Sequence, residues 1–115
     1  MTAEILRTFS FMGEIPFEGE TPRELVGYKE HALYRFYDRD GDLLYVGISW
    51  SPWRRWKQHR AKSPWFGSAT RVTCDVYPNE WTALDAERAA IRNELPCFNT
   101  RSAPRKATAQ CLAEE

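Results

Sequence analysis

Apolar and polar positions first fall into a clear pattern at residues 32–37, Ala-Leu-Tyr-Arg-Phe-Tyr, a run rich in strand formers. Asp38-Arg39-Asp40-Gly41-Asp42 follows, and Asp-Gly is a strong hairpin signal. Residues 43–48, Leu-Leu-Tyr-Val-Gly-Ile, make the return strand. Ser51-Pro52 then opens a helix, with Ser as N-cap and Pro at the first helical position. It runs to about Ala61 and stops before Ser63-Pro64, because the residue preceding a proline avoids helical dihedrals. Trp65 to Ser68 reads as a loop. Residues 71–77 alternate through Val72, Cys74 and Val76, the period of a half-buried third strand. After the Pro78-Asn79 turn, Thr82 caps a second helix, with Asp85 at the capping-box position. Leu84, Ile91 and Leu95 mark its apolar face, and Pro96 ends it after about Glu94.

The order strand, strand, helix, strand, helix predicts an α+β domain. Its sheet is small, three-stranded and mainly antiparallel, flanked by helices, over residues 31–101. Residues 1–30 read as an arm that packs on this domain. Its apolar positions Phe9, Phe11, Met12, Ile15 and Phe17 are interrupted by Gly13, Pro16 and Gly19. Thr21-Pro22-Arg23-Glu24 has the form of a capping box and predicts a short helix to about Tyr28. Residues 102–115 are polar, contain Pro104, and read as a flexible tail.

Charge changes the picture. The net charge is zero, with 16 bases against 16 acids, but the distribution is uneven. No acid lies between Asp42 and Asp75, where Arg54, Arg55, Lys57, Arg60, Lys62 and Arg71 stand with His59. A neutral total therefore does not exclude a polyanionic partner; this segment alone supplies the electrostatic footprint. No apolar stretch is long enough to span a membrane. The first residues lack the basic start and apolar core of an export signal, and the three cysteines lack metal spacing. Cytoplasmic residence is the expectation.

Candidate chemistry concentrates at a few positions. Glu87 projects at the edge of the second helix's apolar face, where a carboxylate needs a cation, a metal or hydrogen bonds. A salt bridge to Arg54 or Arg55, a metal ligand and a general acid or base all satisfy that need. Tyr34 and Tyr45 stand on paired strands. Gly47, two residues past Tyr45, costs a strand stability and marks close approach by a ligand or another chain. A spacing of four places Arg55 and His59 on one helix face, with Lys62 continuing it. Of the five tryptophans, Trp53 and Trp56 pack the first helix onto the sheet. Trp50 and Trp65 flank the basic helix and either pack in the core or stack on bases.

Ala32-Leu33-Tyr34, Tyr45-Val46-Gly47, Arg55, His59, Glu87 and Asn99 together resemble the GIY-YIG nuclease domain, over about residues 31–101. Tyr34 to Tyr45 is 11 residues, Tyr45 to Arg55 is 10 and Glu87 to Asn99 is 12, all typical of that family. Ala83 to Arg88 looks like the family's Glu helix, and Leu95-Pro96-Cys97-Phe98-Asn99 like its closing motif. The first Gly and Ile of the family pattern are Ala32 and Leu33 here. Ile48 stands where repair-type members carry Lys, so the chain looks more like the phage, mobile-element or restriction branches.

The resemblance implies a metal-dependent DNA endonuclease. Its catalytic residues would be Tyr34, Tyr45, Arg55, His59, Glu87 and Asn99. One carboxylate suits a hard magnesium ion that keeps most of its waters, with manganese as a substitute, and Glu87 would be the ligand. Arg55 would hold a phosphate oxygen bidentately. Tyr34 or Tyr45 would take a proton from water, its pKa lowered from about 10 by Arg55 and the metal, and His59 would relay that proton. Such a base makes cleavage rise with pH. Asn99 would fix local geometry, whether around the metal or the hairpin. Gly47, Trp50, Arg54, Lys57, Arg60, Lys62, Trp65 and Arg71 would meet the nucleic acid. Duplex or branched DNA is the expected partner, with RNA also open and no membrane. Two-strand cutting would require a homodimer or two events, and a DNA-targeting protein could supply site choice. The rival is a non-catalytic binding or regulatory module of the same fold.

Overall fold

The computed structural model describes residues 4–99. Its strands are β1 (Arg7–Met12), β2 (His31–Asp38), β3 (Leu43–Ser49) and β4 (Ala69–Tyr77); its helices are α1 (Pro52–Lys62) and α2 (Glu80–Glu94). The sheet has the order β1-β4-β2-β3, every pair antiparallel. The α+β architecture is as expected, but the sheet has four strands rather than three. The extra one, β1, lies in the segment read as irregular. Its alternation, Thr8, Ser10 and Met12 outward against Arg7, Phe9 and Phe11, spans only six residues before Gly13, and the later breakers mask it. Residues 102–115, read as a tail, lie outside the described residues.

Period-two alternation along β2 decides what each helix covers. Ala32, Tyr34 and Phe36 join Val72, Cys74 and Val76 in one buried cluster that contains Trp56 of α1. Leu33 points the other way and joins Val46, Ala83, Ala90 and Ile91 under α2. The inward face of α2 is thus built on alanines and Ile91; Leu84 and Leu95 are only half-buried. α2 also begins two residues before the expected cap. Asn79 is the N-cap, its Oδ1 accepting the Thr82 N–H at 2.9 Å. Either residue type can cap, and the helix takes the earlier one.

The outer edge of β3 is closed by residues 97–99. The Cys97 and Phe98 amides donate to Leu43 and Leu44 carbonyls at 3.1 and 2.9 Å. The Asn99 side chain completes the job: its Oδ1 accepts the Val46 N–H at 2.8 Å and its Nδ2 donates to the Val46 carbonyl at 2.7 Å. A side-chain amide here replaces a neighbouring strand and protects an otherwise open edge.

The segment 13–28 straps α1. Thr21-Pro22 starts one hydrogen-bonded turn, Leu25 and Val26 amides to the Pro22 carbonyl at 3.0 and 3.2 Å, and not the short helix expected. Lys29 at φ 68° and the Gly27 amide bound to the Glu30 carboxylate turn the chain away. Ile15 and Val26 enter the core, and the Arg60 guanidinium lies over the Phe17 ring at 4.4 Å. Ser51 at the start of α1 makes no side-chain cap. The cap comes from 32 residues away: Thr21 Oγ1 accepts the Trp53 N–H at 3.0 Å. Thr21 is nearly buried, so water cannot easily replace it. Thr21→Ala is expected to cost about 1 kcal/mol of stability, the usual worth of a helix cap, while Thr21→Ser stays close to wild type. Urea denaturation of the three proteins measures it; equal midpoints would show that this cap carries nothing.

Candidate active site

The site is built where β2, β3 and α1 meet. Tyr34 on β2 faces α1 and is 1% exposed. Gly47 lies opposite it on β3 in the strand register. A Cβ on Gly47 would fall 2.5 Å from Tyr34 Oη and 2.6 Å from Cζ, so the phenol rests directly over the glycine. The close approach inferred at Gly47 is therefore real, and on the side a Cβ would take, the approaching group is Tyr34.

From the other side, α1 brings His59. The helix turns Pro52, Trp56 and His59 inward and leaves Arg54, Arg55 and Lys57 exposed. Tyr34 Oη and His59 Nε2 are 2.9 Å apart, and His59 Nδ1 is 2.8 Å from Ser63 Oγ. A neutral imidazole has one donor and one acceptor. With the imidazole proton on Nδ1 the phenol O–H donates to Nε2 and the Nδ1–H donates to Ser63; with it on Nε2 both bonds reverse. Ser63 was read only as the end of α1; its position four residues after His59, with one helical turn between them, was the available signal.

Electrostatics keep this pair neutral. Burial pushes the Tyr34 phenol far above its ordinary range; the Tyr45 and Glu87 charges add to that, and Arg55 opposes it. The expected lowering by Arg55 is present but burial outweighs it. Burial, then the Arg55 charge, push His59 down to about 4.

Beside His59 runs an open cleft of about 540 Å³, lined by Tyr45, Arg55, Gln58, His59, Lys62 and Trp65 among others. Arg55 is exposed, and its Nη1 donates to Gln58 at 2.7 Å, a partner absent from the sequence reading. Tyr45 is half-buried. Its ring meets His59 edge-on at 4.8 Å and stacks on Trp65 at 4.9 Å with 15° between planes. Trp65 is itself 4% exposed and tilts against Phe36 at 5.1 Å. It belongs to the core and is not free to stack on a base; only its neighbour across the basic helix, Trp50, is open, at 59% exposed.

Glu87 on α2 is half-buried and makes no hydrogen bond or ion pair among the described residues, so neither Arg54 nor Arg55 is its salt-bridge partner. Burial raises its carboxyl above the usual range, with the Arg88 charge opposing. No group of three or more His, Cys, Asp or Glu side chains converges to hold a metal among the described residues. Glu87 is left as a lone, unpaired carboxylate. Asn99 serves the hairpin edge, as described, through both ends of its amide. Arg60 covers Phe17, and Arg71 covers Tyr37 at 4.4 Å on the sheet face opposite α1, so Arg71 does not extend the basic face of that helix.

The depressed His59 pKa has a consequence for stability. Between about pH 6.5 and pH 4 the unfolded chain binds a proton at residue 59 that the folded chain refuses. Its stabilising share is complete above pH 6.5 and is lost as pH falls toward 4; Glu87, shifted upward, acts in the opposite sense. Comparing wild type with His59→Gln isolates the histidine. From pH 7 to pH 5 wild type is expected to lose about 2 kcal/mol more than the variant. Equal losses in urea denaturation would mean that His59 is protonated freely in the fold.

Residues 30–101, well over half of the chain, match the sequence profile of the GIY-YIG catalytic domain. No curated protein and no solved structure matches the chain. No helix among the described residues is long and apolar enough to cross a membrane. With Tyr45, Arg55 and His59 lining one cleft, Tyr34 bonded to His59 and that profile matched across the domain, the chain belongs to the GIY-YIG family, whose members are nucleases.

Proposed function

We propose that the chain is a magnesium-dependent DNA endonuclease whose general base is Tyr34 working through His59. The observation that carries this is the 2.9 Å contact between Tyr34 Oη and the Nε2 of a neutral, buried His59. A phenol can accept a proton from water only if it can pass on its own. With the His59 proton on Nδ1, Tyr34 has an acceptor for that proton, and the Tyr45 phenol has no hydrogen bond among the described residues.

In the reaction, Arg55 holds a non-bridging phosphate oxygen at the cleft, with Lys62 beside it adding positive charge. The water oxygen bonds to phosphorus as the bond from phosphorus to the leaving oxygen breaks. The water proton goes to Tyr34 Oη while the Tyr34 proton goes to His59 Nε2, and the leaving oxygen takes a proton from solvent. Ser63 fixes the imidazole through Nδ1. Glu87 would hold the magnesium ion: an unpaired, half-buried carboxylate is relieved by a cation, and a single carboxylate suits an ion that keeps its waters. When bound, that ion supplies positive charge for the developing negative charge of the phosphate and leaving group.

A second reading makes Tyr45 the base, because it lines the open cleft whereas Tyr34 is almost fully buried. That phenol has no onward acceptor, so it would have to be ionised before reaction.

Nicking of supercoiled plasmid with magnesium and with chelator tests the activity. Wild type is expected to cut only with the metal. Glu87→Gln should fall below about a hundredth of the wild-type rate, since a lost metal contact removes several kcal/mol of transition-state stabilisation. Its DNA binding should stay near wild type, because α1 supplies the charge. More than about a tenth of the rate retained would remove Glu87 from the metal site, and no cutting by wild type would favour the binding-module rival.

A further inference from the structure

Trp50 is out of place as a core residue. Trp53 and Trp56 meet the Phe11 ring, both at 6.4 Å, and Trp65 is stacked and buried. Trp50 contacts no other ring among the described residues and leaves 59% of its surface open. Exposing an indole costs solvation free energy that burial in the core would recover.

Its mounting is rigid. It sits between the last residue of β3 and the start of α1. Ser49 before it pairs with Ala32 in the sheet, and Ser49 Oγ accepts the Ser51 N–H at 2.9 Å, closing the corner around it. The next anchor is the Trp53 amide on Thr21. The indole is therefore presented by backbone that is held on both sides. It also has a neighbour of the right kind. Trp50, Arg54, Arg55 and Gln58 line a concavity of about 300 Å³, so the indole and the phosphate-holding arginine share one wall. That volume is at the small end of ligand pockets and suits one planar group.

Resting on the endonuclease reading above, we propose that Trp50 is a stacking platform for an unpaired base next to the phosphate held by Arg55, so that the preferred substrate is DNA with unpaired bases at the cut. An aromatic face stacks on any base, and the cationic guanidiniums beside it attract both the phosphate and the ring system. In intact duplex each base face is already stacked on its neighbours, and exposing one costs a few kcal/mol. The platform thus discriminates by strandedness and not by sequence. Trp81 is exposed too, at 76%, but stands in the first turn of α2, away from this cleft.

The test is equilibrium binding without divalent metal, which prevents cutting, to three labelled DNAs of one sequence: single strand, flap and duplex. Trp50→Ala is expected to weaken single-strand and flap binding about tenfold or more and duplex binding less than about twofold. Trp50→Phe, which keeps an aromatic face, should recover most of the loss. An equal loss on all three DNAs, or no loss, overturns the platform; wild type that still nicks plasmid in that case leaves the endonuclease reading standing. Wild type that binds none of the three DNAs and does not nick overturns both.

Discussion

The structure turns on one contact, the phenol of Tyr34 lying across the bare Cα of Gly47 with its hydroxyl bonded to His59. It ties the first strand of the hairpin, the second strand and α1 together at one point. Much of the surrounding architecture holds that point. The Asn99 amide pins the edge of β3 one residue before the glycine. Trp56 and Phe36 pack edge-on around the Tyr34 ring, at 5.9 and 5.7 Å. Thr21 and the strap over α1 set the helix that delivers the imidazole. A larger residue at position 47 has nowhere to go, since the obstacle is a phenol that is itself enclosed.

Burial has a chemical result as well. Two groups that could carry charge are held neutral, the phenol far above its ordinary range and the imidazole down at about 4. Exposed Arg55 and Lys62 supply positive charge at the mouth of the cleft, and unpaired Glu87 supplies the lone carboxylate. In the proposed reaction these tasks would be separate: charge at the surface, where a phosphate could reach it, and the proton path in the core. A path through two neutral groups needs no preformed phenolate.

Elements with strong local signals were legible from the residues alone. The Asp-Gly turn between alternating runs defined the β2–β3 hairpin, and Ser51-Pro52 with Ser63-Pro64 bracketed α1 to within a residue. The family motifs marked Tyr34 and His59, which the fold brings into contact. What escaped was non-local. The six residues of β1 gain their meaning by pairing with β4, 59 to 69 residues on. The cap on α1 comes from Thr21, which no helical window contains. The sequence left Trp65 open between core and base stacking; its burial follows from Tyr45 and Phe36 on other elements. Gly47 was singled out correctly as a place of close approach, but only the sheet register shows that the approaching group is Tyr34.

The claim on which the account stands is that the water proton passes to Tyr34 as the Tyr34 proton passes to a neutral His59. The direct measurement is the single-turnover rate of magnesium-dependent DNA cleavage against pH, with chemistry shown to be rate-limiting, for wild type, Tyr34→Phe and Tyr45→Phe. Because the active form has both groups neutral, the wild-type rate is predicted to be flat from about pH 6 to pH 9 and to fall only toward pH 4, as His59 protonates. Tyr34→Phe should lose cleavage and Tyr45→Phe should retain the flat profile. A log-linear rise with pH across that window, abolished by Tyr45→Phe, would contradict the relay and assign the chemistry to a preformed Tyr45 phenolate.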